Sequence, residues 1–176
     1  MTFFPNLLIR VARKSAKQND TAPTEIQIKS ADELAAHPEW TERIRTRRYG
    51  VIRVRDRRVA SIHFRWTVKV VSIWHVLWGR LWTHIWRSGD FCELHYDATS
   101  SSPHFVVIKC AFSHRQTTYQ STRTAMQILD QVAAIRQAHA IVFHARNDRI
   151  TDQAAKRLGY SRHADHLPGR NYIKRL

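Results

Sequence analysis

The sequence predicts a single α/β domain on a mixed sheet, and three observations carry that prediction. Hydrophobic residues make up 43% of 176 residues, enough to bury one core and too many for a disordered chain. Alternating apolar runs between residues 24 and 64 have the period of half-buried strands. Further on, a strand, a long helix and a second strand follow one another, which is the order of a right-handed crossover between parallel strands.

Residues 1–23 read as a loosely held tail and 24–176 as the domain. A short strand is expected over Thr24–Lys29, from the alternation in Glu25-Ile26-Gln27-Ile28. Ser30 followed by Glu33 has the spacing of a capping box, opening a helix through Ala35, Trp40 and Ile44. Val51–Arg55 and Val59–Phe64 flank Asp56-Arg57-Arg58 and read as a hairpin.

From Trp66 to Arg87, residues Val70, Ile73, Trp74, Leu77, Trp78, Leu81, Trp82 and Ile85 fall on one face of an amphipathic helix. Lys69, His75, Arg80 and His84 interrupt it too often for a membrane span. Its tryptophans suit a core, or docking on an anionic membrane surface.

The second half continues with strands Phe91–Asp97 and His104–Phe112, joined by the turn-forming run 98–103. A helix over Thr117–Ala138 follows, with Ala125, Ile128, Leu129, Val132 and Ile135 on its buried face. Ala140–His144 is the next strand, and a short helix through Ile150, Ala154 and Leu158 ends at Gly159, the left-handed C-terminal position. Leu167–Arg170 turns into a last strand, Asn171–Lys174.

The formal charge of +15 favours polyanionic partners: nucleic acid, anionic lipid, a phosphorylated cofactor or an acidic protein. Arg43, Arg45, Arg47, Arg48, Arg53, Arg55, Arg57 and Arg58 form the densest basic block, either a solvated face or a phosphate-binding one. Cys92 and Cys110 lack a paired spacing and are expected as buried, reduced thiols of a cytoplasmic protein. The apolar residues of the N-terminus precede its basic ones, the reverse of a secretory signal. Among eleven histidines only His163 and His166 are closely spaced, and no metal site is expected.

The element order of the second half resembles the GNAT family, N-acetyltransferases that carry acyl groups from coenzyme A to an amine. Strand, long helix, strand and short helix end in Gly159-Tyr160, and Asn147 precedes the short helix as in that family; the likeness covers about 91–176. It implies a GNAT-like fold, acetyl-CoA or another acyl-CoA as co-substrate, and an amine acceptor. Some relatives take the acyl group from an acyl carrier protein, an acidic partner that a basic surface suits. The family's pyrophosphate loop, Gln/Arg-x-x-Gly-x-Gly/Ala, corresponds here to Arg115-Gln116-Thr117-Thr118-Tyr119-Gln120. Arg115 fits the first position, while Thr118 and Gln120 replace the small residues that let backbone N–H groups reach phosphate. The resemblance places the donor at Arg115, Gln116, Thr117, Thr118 and Asn147. The hydroxyls of Thr117, Thr118 and Ser121 could hold that anion or simply cap the helix. The tyrosine that protonates the leaving thiolate in many members is replaced by Ala155, which leaves Tyr119, Tyr160 or Tyr172 to substitute.

Glu93, His95 and Asp97 share one strand face. Glu93 is the expected base that takes the proton of the attacking amine, with His95 the other choice; a solvated strand face is the plain alternative. The functional expectation is acyl transfer from a thioester to an amine, and the competing one a non-enzymatic module for nucleic acid or an anionic membrane surface.

Overall fold

The computed structural model describes residues 25–28, 32–65, 89–98, 102–113, 116–145, 150–166 and 168–176. The helix expected at 66–87, together with Ser30, Arg115 and Asn147, lies outside the described residues.

Strands β1 (Glu25–Ile26), β2 (Tyr49–Arg55), β3 (Arg58–Arg65), β4 (Phe91–Asp97), β5 (Phe105–Ser113), β6 (Ala140–Ala145), β7 (Ser161–Arg162) and β8 (Arg170–Arg175) form one sheet. Their order is β1-β3-β2-β4-β5-β6-β8-β7. Among the described strands only β5 and β6 run parallel, as the crossover requires; the other neighbours are antiparallel. The fold is therefore α+β with a mixed sheet.

Helices α1 (Glu33–Ala36), α2 (Pro38–Thr46) and α3 (Tyr119–Ile135) touch one another, and α3 lies across β2, β3, β4 and β6. Leu34 and Ile44 meet Ile52, Val54, Leu94, Tyr96, Val106, Ile128, Leu129 and Val132 in the core between helices and sheet. The fourth helix, α4 (Asp152–Arg157), adds Ala155 at its edge.

The single helix expected through residues 33–44 is two helices. Pro38 excludes the helical conformation from the residue before it, and His37 sits at φ −110°, ψ 104°. The end of α2 is then held from outside: Arg136 Nη1 donates to the carbonyls of Ile44, Arg45 and Arg47, satisfying acceptors a helix end leaves open. Arg45 Nε returns a bond to the Ile135 carbonyl.

The β2–β3 hairpin closes through Asp56 and Arg57 alone, because Arg55 and Arg58 still pair. Both turn residues have positive φ, 51° and 65°, as this two-residue turn demands. Gly50, inside β2, faces the Tyr96 ring so closely that a Cβ there would overlap it. Among the described residues no helix is long and apolar enough to cross a membrane.

Candidate functional site

The β5–β6 ladder is short. It runs from Phe105 opposite Ala140 to Ile108 opposite Phe143 and stops, although β5 continues to Ser113 and β6 to Ala145. Past that point, among the described residues, β5 pairs only with β4, and β6 only with β8. The break coincides with a bulge. Tyr96 faces Ile108 and His95 faces Cys110, so Lys109 is an extra residue that bends β5. Two parallel strands thus part at their C-terminal ends, the place where open α/β sheets receive ligands.

Leu94 and Tyr96 enter the core with α3, so Glu93, His95 and Asp97 point to the other face of the sheet. Glu93 is 8% exposed. Its Oε2 accepts from Arg53 Nε at 2.9 Å, and its Oε1 lies 2.7 Å from His95 Nε2. Arg53 Nη1 in turn meets His63 Nε2 at 2.9 Å. Burial pushes the Glu93 carboxyl up, but the His95 hydrogen bond and the Arg53 charge outweigh it and hold the group at about 2. An ionised carboxylate only accepts, so His95 Nε2 carries a proton and Nδ1 is the ring's basic atom. The imidazole packs edge-on against Phe112, with 5.5 Å between centroids.

Asp97 has a structural partner set. Arg48 Nε reaches its Oδ1 at 2.8 Å, Tyr49 donates to Oδ2 at 3.1 Å, and Lys109 Nζ stands 3.5 Å away. Arg45, Arg48 and Arg53 of the basic block are thereby tied to a carbonyl, Asp97 and Glu93 respectively. Both thiols are free, with Cys92 buried; Cys110, expected buried, is half-buried because it lies where β5 leaves β6.

At the start of α3 the described side chains expected to meet a pyrophosphate have partners within the protein. Asp90 Oδ1 accepts the Thr118 N–H at 2.9 Å, and its Oδ2 accepts the Thr118 hydroxyl at 2.7 Å. Thr118 Oγ1 also accepts the Ser121 N–H, a normal N-cap. Thr117 donates to the Phe91 carbonyl, Gln116 Oε1 accepts the Gly89 N–H, and Ser121 Oγ accepts the Arg57 N–H. Asp90 thus supplies the negative charge that a helix N-terminus attracts. No sequence motif announces it, since it lies 28 residues before Thr118.

Tyr160 is 2% exposed, and its hydroxyl lies 4.0 Å from Met126 Sδ on α3. It is therefore across the sheet from Glu93 and His95. Burial and then Asp130 push the Tyr160 phenol well above its ordinary value. Tyr172 stacks on Phe143 and donates to Asp152 Oδ1, which Arg162 also approaches. Tyr119, at the start of α3, is 49% exposed.

Sequence reasoning did not single out His144. It is the first β6 residue beyond the last β5–β6 pair, and its Nδ1 lies 2.9 Å from Asn171 Oδ1. The ring also packs directly on Gly169, where φ is +87°.

Comparison with protein-family models, curated proteins and solved structures finds no match.

Proposed function

We propose that the chain is an N-acyltransferase-like protein of GNAT-like fold that moves an acyl group from a thioester to an amine. The observation that carries this reading is the parting of β5 and β6 beyond Ile108 and Phe143. A thioester arm laid between those strands would find backbone groups of Lys109–Phe112 released from β6. The order β5-β6-β8-β7, with a long helix in the crossover and Gly159-Tyr160 after α4, adds support.

His95 serves as the base. Its Nδ1 takes the amine proton, while Glu93 fixes the tautomer through Nε2 and stabilises the imidazolium that forms. With its carboxyl held near 2, Glu93 is too weak a base at neutral pH, so it acts as a positioning residue.

Asp90 bears on the donor. A pyrophosphate at the start of α3 would have to displace a carboxylate already bonded there. This favours an acyl carrier protein, whose arm brings no pyrophosphate, over free acyl-CoA. The net charge of +15 suits such an acidic partner.

Thiol release from acetyl-CoA and from an acetylated acyl carrier protein, measured over a panel of primary amines, tests the reading. Amine-dependent release, faster with the carrier protein, is the expected result. No release from either donor sinks it.

A further inference from the structure

We infer that His144 is the acid that protonates the leaving thiolate, the role left open by Ala155. The inference rests on the acyl-transfer reading and deepens it. Ile108 and Phe143 are opposite each other in the last parallel pair, and both belong to the core face. One step beyond them, His144 must point to the other face. Across β5, Tyr96 is level with Ile108, and His95 is level with Cys110. His95 and His144 therefore stand at about the same height on the same face, on opposite sides of the gap where the strands part.

Two of the three candidate tyrosines, Tyr160 and Tyr172, are poorly placed for this task. Tyr160 is buried against Met126 on the α3 side of the sheet, and the Tyr172 hydroxyl is given to Asp152. His144 is exposed, yet its ring is fixed by two neighbours. Gly169 packs against it nearest Cε1 and Nε2, and Asn171 Oδ1 is an acceptor, so Nδ1 holds a proton and Nε2 is the atom left to deliver one.

The step balances. The amine nitrogen bonds to the acyl carbon, and the carbon–sulfur bond breaks with its electron pair going to sulfur. The amine proton goes to His95 Nδ1, the sulfur takes the proton from imidazolium His144 Nε2, and solvent returns one from His95 to His144.

The test compares two leaving groups in His144→Gln: the acetylated acyl carrier protein, an alkyl thioester, and the acetyl ester of a thiophenol, whose thiolate leaves without protonation. Loss of an acid costs about a hundredfold or more. The expected result is a loss of that size with the acetylated carrier protein and little change with the aryl thioester. Equal losses with both donors, or none, would overturn the assignment to His144 while leaving acyl transfer standing. Absence of turnover by the unaltered protein with both donors overturns acyl transfer and this step with it. Gly169→Ala, which would displace the ring, should reproduce the leaving-group dependence in a second variant.

Discussion

Removing Asp90 should destabilise the fold and open the start of α3 together. Its carboxylate accepts two bonds from Thr118, at 2.9 and 2.7 Å. Loss of such a cap costs about 1 kcal/mol, and the interaction with the helix dipole adds roughly 0.3–1 kcal/mol. Asp90 is partly exposed, so solvent reduces the sum and about 1.5 kcal/mol remains for Asp90→Ala. In a chain of this size that lowers Tm by about 3–6 °C. Thermal and urea unfolding of the full chain would read it. The pH dependence supplies a second check. Burial pushes the Asp90 carboxyl up, but its Thr118 bonds pull it below the ordinary carboxylate value overall. A depressed carboxylate stabilises fully above its unfolded pKa, about 3.9, and the contribution fades as pH falls through the lower folded value. The gap between the two proteins should therefore be complete at pH 6 and shrink below pH 4. Inorganic pyrophosphate should bind Asp90→Ala more tightly than the unaltered chain, because the Thr118 N–H is released. A neutral substitution, or a stability gap that persists unchanged at pH 2, would refute the reasoning.

Glu93→Gln should cost about 3 kcal/mol in urea unfolding, since it leaves Arg53 without its buried countercharge. With that carboxyl held near 2, the cost should disappear only as pH falls from about 4 toward 2. Arg136→Met keeps the apolar stem but abandons the three carbonyls that end α2, and a loss of about 2 kcal/mol is expected by the same assay. Gly50→Ala should cost about 1–3 kcal/mol by forcing the Tyr96 ring aside, while a change below about 0.5 kcal/mol would mean the ring has room to move.

Local patterns made the strands and the crossover legible. Strand β4 matches its expected limits, Phe91–Asp97, because apolar and polar residues alternate along that run and turn-forming residues follow it. The α3 face of Ala125, Ile128, Leu129 and Val132 is buried, as its helical spacing implies. Pro38 was a readable signal whose effect on the preceding residue divides the first helix. The bulge at Lys109 was not readable, because it depends on how β4 and β5 register against each other. Nor did any local pattern mark Asp90 at Thr118 or Arg136 at the end of α2, since those partners meet only after the chain folds back. For the site, alternation placed Glu93 and His95 on one face. The charge of Arg53 and the position of His144 beside the gap came from strand neighbours far apart in sequence.

The central claim is that the gap between β5 and β6 receives a thioester arm. Backbone amide chemical shifts, followed while S-acetyl pantetheine is added to the full chain, test it without requiring catalysis or a known acceptor. The account predicts saturable shifts concentrated at Lys109–Phe112 and at His144 and Ala145, on the two sides of the parting. Shifts confined to the Asp56–Arg57 hairpin or to the outer face of α3, or none at millimolar ligand, would contradict it.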